Sequence, residues 1–137
     1  MAPAALHPPA GSSAIPDILH FVFDTGASVT NISKNALRDM GYMDFRKDTK
    51  KSLAASGVFT ANLCLISRLD FAGLPFHNRT IKVWDAPKGY HVDGFIGMDL
   101  IRYFNTRINT DTCHIQIVQN ENTTKLLFDG KWKEGAK

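Results

Sequence analysis

Asp24, Thr25, Gly26, Ala27 and Ser28 follow the apolar run Phe21-Val22-Phe23 and stand ahead of Val29-Thr30-Asn31-Ile32. A carboxylate delivered by an apolar strand is costly to desolvate unless a neighbour shares its proton or hydrogen-bonds its charge. Asp24 therefore calls for a partner. The residues after it suit a tight loop at the edge of a cleft. Gly26 lets backbone approach closely, Thr25 and Ser28 offer hydroxyls to hold the loop or orient the carboxylate, and Ala27 keeps the cleft floor shallow. Asp, Thr and Gly are also ordinary turn residues, so the triplet by itself fits a plain turn as well.

The elements that would position this loop can be read outward from it. Residues 17–23 are short, β-rich and apolar, a strand that ends at Asp24, and Val29-Thr30-Asn31-Ile32 reads as a second short strand. Ser33 is an N-cap for a helix with Ala36, Leu37 and Met40 on one face and Gly41 as its stop. Phe59, Ala61, Leu63, Leu65, Leu69 and Phe71 occupy alternate positions, interrupted by Ser67, which predicts one long strand with a single buried face. Gly73 centres a turn, residues 76–84 return as the partner strand, and residues 85–93 form a loop. Phe95 and Ile96 make a short apolar strand before Gly97 and a second helix, with Leu100, Ile101 and Phe104 on one face. Residues 106–119 and 123–129 close the chain as further strands, with a turn near Asn109 to Thr112. The expected fold class is mainly β with two short helices. The 137 residues fit one domain, and 44% hydrophobic content suffices for its core.

Composition narrows the function classes. The net charge of +3 is scattered, and the densest basic patch, Arg46 to Lys51, is broken by Asp48 and Thr49, so it reads as a solvated loop rather than a nucleic-acid or membrane surface. Cys64 and Cys113 show no metal-ligand spacing and read as reduced core residues. His20, His77, His91 and His114 read as surface or edge-strand residues, and Trp84 and Trp132 as packing or tail residues. Neither a cofactor nor a metal is called for. Residues 1–16 hold four of the six prolines and read as a flexible segment, with the domain over 17–129 and a polar tail over 130–137. No signal-peptide pattern and no bilayer-length apolar run occur, so the expected compartment is cytoplasmic, and the Asn-x-Ser/Thr triplets at Asn31, Asn78 and Asn122 read as chance.

The order apolar strand, Asp-Thr-Gly-Ala-Ser, short strand, helix, long hairpin, apolar pair, Gly97, helix resembles the retropepsin-like aspartic proteases across nearly the whole chain. "FVFDTGAS" and "DGFIGMDLIRYF" carry the resemblance. It implies a closed barrel or sandwich with one lobe per chain, and two aspartates that share one proton and activate a water against a peptide carbonyl. Only one Asp-Thr-Gly is present, so the resemblance places the second Asp24 on a second chain across a two-fold axis. One Asp24 would act as general base and the other as acid, favouring mildly acid conditions. By the same analogy Thr25 hydrogen-bonds across the dimer, Gly26 admits close approach of substrate, Ser28 buttresses the carboxylate, and Ile96 and Gly97 belong to the turn that supports the loop.

The resemblance also implies a flap over an extended peptide, in the uncharged stretch between Leu53 and Ser67, with Ser56, Gly57 and Val58 at its tip. The family's fuller strand before the Asp-Thr-Gly strand has no evident counterpart in the Pro/Ala-rich start. Asp99 reads as a helix N-terminal carboxylate rather than a second catalytic acid. The competing reading is a dimerisation or peptide-binding module that keeps the fold without turnover. A third, phosphoryl transfer, lacks a P-loop.

Overall fold

The computed structural model describes residues 1–54 and 57–123. Among the described residues nine strands and two short helices follow one another as β1 (Ala2–Leu6), β2 (Asp17–Phe23), β3 (Asn31–Ser33), α1 (Lys34–Asp39), β4 (Arg46–Ala54), β5 (Gly57–Phe71), β6 (Leu74–Trp84), β7 (Gly94–Ile96), α2 (Met98–Ile101), β8 (Phe104–Asn109) and β9 (His114–Gln119). The principal sheet runs β1-β2-β7-β3-β6-β5-β4, and a further pairing of β1 with β5 closes its first six strands into a barrel. β4 hangs from β5 outside that closure, and β8 with β9 forms a separate hairpin. Closure removes the sheet edges that would otherwise invite pairing with another chain.

β1 corrects the expectation of a flexible segment over residues 1–16. It pairs antiparallel with β2, Ala4 against Leu19, and with β5, Leu6 against Leu69, and it turns Ala4 and Leu6 fully into the core. Pro3 lies ahead of the stretch joined by β5, so its missing N–H costs no bond on that side. The alternation is hidden in the sequence because alanine carries little hydrophobic signal. β1 is also the strand before Asp-Thr-Gly that the sequence lacked on inspection.

A polar clasp fastens the end of β1. His7 N–H donates to the Arg68 carbonyl at 3.1 Å, and His7 Nε2 lies 2.8 Å from Asp70 Oδ2. Buried Tyr42 donates its hydroxyl to the His7 carbonyl at 2.8 Å and accepts from Ser67 N–H at 3.0 Å. Burial raises the Asp70 carboxyl, but hydrogen bonds and charge from Arg68 and His7 outweigh it and hold its pKa below the ordinary value. A depressed carboxylate pKa adds stability above the unfolded value that is lost as pH falls through the folded one. Asp70→Asn is therefore expected to lower the urea midpoint at pH 7, with the gap from the parent closing in acid, below the ordinary carboxylate range of about 4. A gap that persists unchanged into acid would remove the charge from this account.

Several element assignments hold and others shift. β2 spans the predicted residues, with Leu19 and Phe21 inward. Ser33 caps α1, its hydroxyl accepting from Ala36 N–H, and Gly41 follows at φ 103°. Ala72 and Gly73 both have positive φ, 52° and 81°, the geometry of a two-residue turn whose twist matches its strands, and it joins β5 to β6. The long strand is not one-sided. Ala61, Leu69 and Phe71 are buried on one parity, Cys64 and Ile66 on the other, and Leu65 is 51% exposed. The basic patch is no loop, since Arg46 begins β4.

Cys113 is exposed in the turn between β8 and β9, contrary to the expected core position, whereas Cys64 is buried. Burial, with the nearby Asp44 charge, pushes the Cys64 thiol up to about 11 against a smaller opposing effect of Arg46. That leaves it protonated and inert at neutral pH. The strand expected over residues 123–129 lies, apart from Thr123, outside the described residues, as does the tail over 130–137. Among the described residues no helix is long and apolar enough to cross a membrane.

Candidate active site

Asp24 lies one residue past β2 and is half-buried, with Thr25, Gly26 and Ser28 exposed beside it. Its backbone continues the sheet, donating from N–H to the Ile96 carbonyl at 2.9 Å. The chain then turns, with Ala27 N–H donating to the Asp24 carbonyl at 3.2 Å and Gly26 N–H donating to Asp24 Oδ1 at 2.9 Å. One carboxylate oxygen is thereby oriented by backbone. A Cβ on Gly26 would stand 3.3 Å from that same oxygen, so glycine here leaves the carboxylate its room.

The loop is strapped from below by the segment after β7. Met98 N–H donates to the Ala27 carbonyl at 2.7 Å, and Asp99 N–H to the Ser28 carbonyl at 3.2 Å. Ser28 thus contributes through its backbone, while its side chain is exposed. Gly97 sits so close beneath the loop that a Cβ would lie 2.7 Å from the Val29 carbonyl carbon and 2.9 Å from the Ala27 and Val29 oxygens. Gly94 is under equal constraint, because a Cβ there would fall 2.0 Å from the Asn31 carbonyl oxygen. Ile96, between them, is fully buried. The predicted supporting turn at Ile96 and Gly97 and the predicted loop at Asp24 are thus one bonded unit.

Thr30 joins that unit, and sequence reasoning missed it. Its fully buried hydroxyl accepts from Gly97 N–H at 3.1 Å and donates to Asp99 Oδ1 at 2.8 Å. Its backbone N–H also reaches the Asp99 carboxylate, 3.1 Å from each oxygen, and its carbonyl accepts from Lys82 N–H on β6 at 3.0 Å. Asp99 accepts in addition from Leu100 N–H at 3.0 Å, so it opens α2 as expected while bracing the loop across the fold. The available signal was a hydroxyl residue inside an apolar pair, Val29 and Ile32, six residues after the carboxylate. Hydrogen bonds to a charged group contribute about 1.5–3 kcal/mol each when broken singly. Thr30→Val keeps the shape but leaves the buried Gly97 N–H unpaired and removes one of the three hydrogen bonds to Asp99 Oδ1, so a loss of about 3 kcal/mol in chemical denaturation is expected. Thr30→Ser, which keeps the hydroxyl, should recover most of it; equal losses in both would rule out the bridge.

Val22 precedes Asp24 by two residues, and its register partner on β7 is Phe95. Trp84 packs edge-on against Phe95 at 5.0 Å and against Tyr90 at 5.4 Å between ring centres. The packing role expected for Trp84 holds, with an aromatic group close to the Asp24 loop. The flap position falls on the hairpin of β4 and β5, where Leu53 pairs with Val58 and Ala54 with Gly57. Gly57 and Val58 head β5, and Ser56 lies outside the described residues. No three metal-ligating side chains gather among the described residues.

Comparison with known proteins agrees with this geometry. A family profile described as aspartyl protease matches residues 17–100, which span Asp24, the hairpin and Gly97. A crystal structure of a retropepsin-like aspartic protease from Rickettsia conorii superposes with a TM-score of 0.56 at 22% identity, covering 80% of this chain and 75% of that one. The retroviral protease-like domain of Ddi1 from Leishmania major aligns at 17% identity over 85% of both chains, with a TM-score of 0.49. A search of curated proteins finds no match. With the profile covering more than half of the chain and the barrel built as described, this chain belongs to the aspartyl protease family and has the retropepsin-like fold.

Proposed function

We propose that the chain is an aspartic endopeptidase that works as a homodimer, hydrolysing peptide bonds with a water held between two Asp24 carboxylates, one from each subunit. The observation that carries this reading is a single half-exposed carboxylate, oriented by Gly26 N–H on a loop that Gly97, Thr30 and Asp99 brace from below. Such bracing fixes the carboxylate without packing it away, as a reacting group requires. One carboxylate alone cannot be both acid and base in the same step. A two-fold axis beside the loop supplies the second from an identical chain.

In the working pair one Asp24 is ionised and the other protonated. The ionised group takes a proton from water as the oxygen bonds to the peptide carbon. The protonated group gives its proton to the carbonyl oxygen, so charge does not build up on the tetrahedral adduct. Collapse breaks the C–N bond as a proton passes to the departing amine, leaving a carboxyl and an amine product. Thr25, exposed beside Asp24, serves to lock the two loops across the dimer. Gly57 and Val58 belong to the flap that covers an extended peptide substrate by strand-like pairing.

Incubating the purified chain with an unstructured polypeptide at acid and neutral pH tests the reading. Faster internal cleavage in acid, blocked by a peptide analogue bearing a hydroxyl at the scissile position, is the expected result. Binding of the polypeptide with no cleavage at either pH would favour the competing peptide-binding module.

A further inference from the structure

One concavity lies apart from the Asp24 loop and its floor. Pro9, Tyr42, Met43 and Leu65 form the apolar walls of a groove of about 480 Å³ at the root of β4, and Asp44 and Arg46 border it. None of the residues that line it belongs to the Asp24 loop. Its walls are fixed before anything binds: Ala10 N–H donates to Ser67 Oγ at 3.0 Å, and the Tyr42 hydroxyl ties the His7 carbonyl to Ser67 N–H. A preformed site loses little freedom when it is filled. Met43 is nevertheless 71% and Leu65 51% exposed, an apolar pair in water beside two charges. Asp44 and Arg46 are exposed as well, and among the described residues neither forms a salt bridge, with the other or elsewhere.

We propose that this groove binds short apolar peptides whose two ends are free. A carboxylate and a guanidinium at the mouth of one apolar groove match a ligand that carries an ammonium, a carboxylate and apolar side chains together. Arg46 meets the ligand's carboxylate, where its fork allows two parallel hydrogen bonds, and Asp44 meets the ammonium. Two positions apart, the Cα atoms of Asp44 and Arg46 are separated by no more than about 7 Å, and the ends of an extended dipeptide by about the same. Met43, unbranched and polarisable, adapts to side chains of differing shape against the firmer Pro9 and Leu65. A long polypeptide crossing the groove brings amides but not the two end charges, so the rim favours short ligands. The choice of ligand rests on the endopeptidase reading, because repeated hydrolysis of a chain releases short pieces that carry both a free amine and a free carboxyl. The groove is then a product site, set at the root of the strand that leads to the flap position.

The test is a titration of the full chain with leucyl-leucine, followed through backbone amide chemical shifts, beside the same dipeptide acetylated at its amine and amidated at its carboxyl. Saturable shifts at residues 41–46 and 65–67, with a dissociation constant of about 1 mM, are expected for the free dipeptide. The blocked form should bind about tenfold more weakly, since both end charges are gone. Asp44→Asn and Arg46→Gln should each weaken the free dipeptide about threefold while melting near the parent, because both side chains are exposed. Leu65→Asp, which sets a charge in the apolar wall, should abolish the shifts. Should that variant fail to fold, the free and blocked dipeptides on the parent chain decide. Equal affinity for the two forms overturns the proposal, as do shifts confined to residues around Asp24. A chain that cleaves polypeptide but shows no shift at 41–46 loses the groove and keeps the endopeptidase reading. One that binds leucyl-leucine there and cleaves nothing keeps the groove and loses the endopeptidase reading.

Discussion

Asp24→Asn is expected to abolish peptide hydrolysis, by about 10³-fold or more, while the protein melts within about 2 °C of the parent. The loss follows from the division of labour in the proposed dyad. General acid and base roles of this kind each contribute about 10²–10⁴-fold, and an amide can neither take the water's proton nor give one to the carbonyl. The fold survives because asparagine keeps an oxygen where Asp24 Oδ1 accepts from Gly26 N–H, and because the side chain is only half-buried. Substitutions that remove neither packing nor a buried partner usually stay within about 0.5 kcal/mol. Rates of cleavage and a calorimetric scan on the same preparations check both halves. Equal cleavage by the two proteins would remove Asp24 from the chemistry.

Gly97→Ala is expected to damage stability and activity together. Its added methyl would meet three backbone atoms of Ala27 and Val29, at 2.7 to 2.9 Å, where no side chain can swing away. Overpacking costs typically 1–3 kcal/mol and more where backbone must move, so a loss of about 3 kcal/mol is expected. That corresponds to a fall of roughly 10 °C in melting temperature for a chain of this size. The same methyl pushes on Ala27 and Val29, which carry the loop that presents Asp24. Gly26→Ala provides the contrast. Its methyl would stand 3.3 Å from Asp24 Oδ1 on an exposed turn, so activity should fall while the melting temperature stays near that of the parent. Two variants with the same ratio of lost stability to lost activity would contradict the separate roles of floor and rim.

What could be read from the sequence divides along the range of the interactions. The Asp-Thr-Gly loop, the β2 strand, the Ser33 cap and the Ala72-Gly73 turn are local patterns, legible because neighbours in sequence fix them. The need for Gly97 was legible as a motif, but its reason lies in contacts with residues some seventy positions earlier. Thr30 and Asp99 are likewise joined only by the fold, and neither residue type announces a bridge. β1 was misread because composition was weighed above pairing: a Pro/Ala segment has little hydrophobic signal, yet between two strands small side chains are what closure needs. The two-sided burial of β5 escaped for a related reason. Alternation predicts one covered face, and it cannot foresee a strand long enough to be covered on opposite faces along its length.

Subunit mixing offers the most direct measurement. Parent and Asp24→Asn chains are combined in varying proportion at one total concentration, well above that at which the dimer dissociates, and allowed to exchange before cleavage is assayed. If both carboxylates of a pair must come from different chains, activity follows the square of the parent fraction and stands at about a quarter when the chains are equal in number. A straight line through one half at that point would mean that each chain works with its own Asp24 alone.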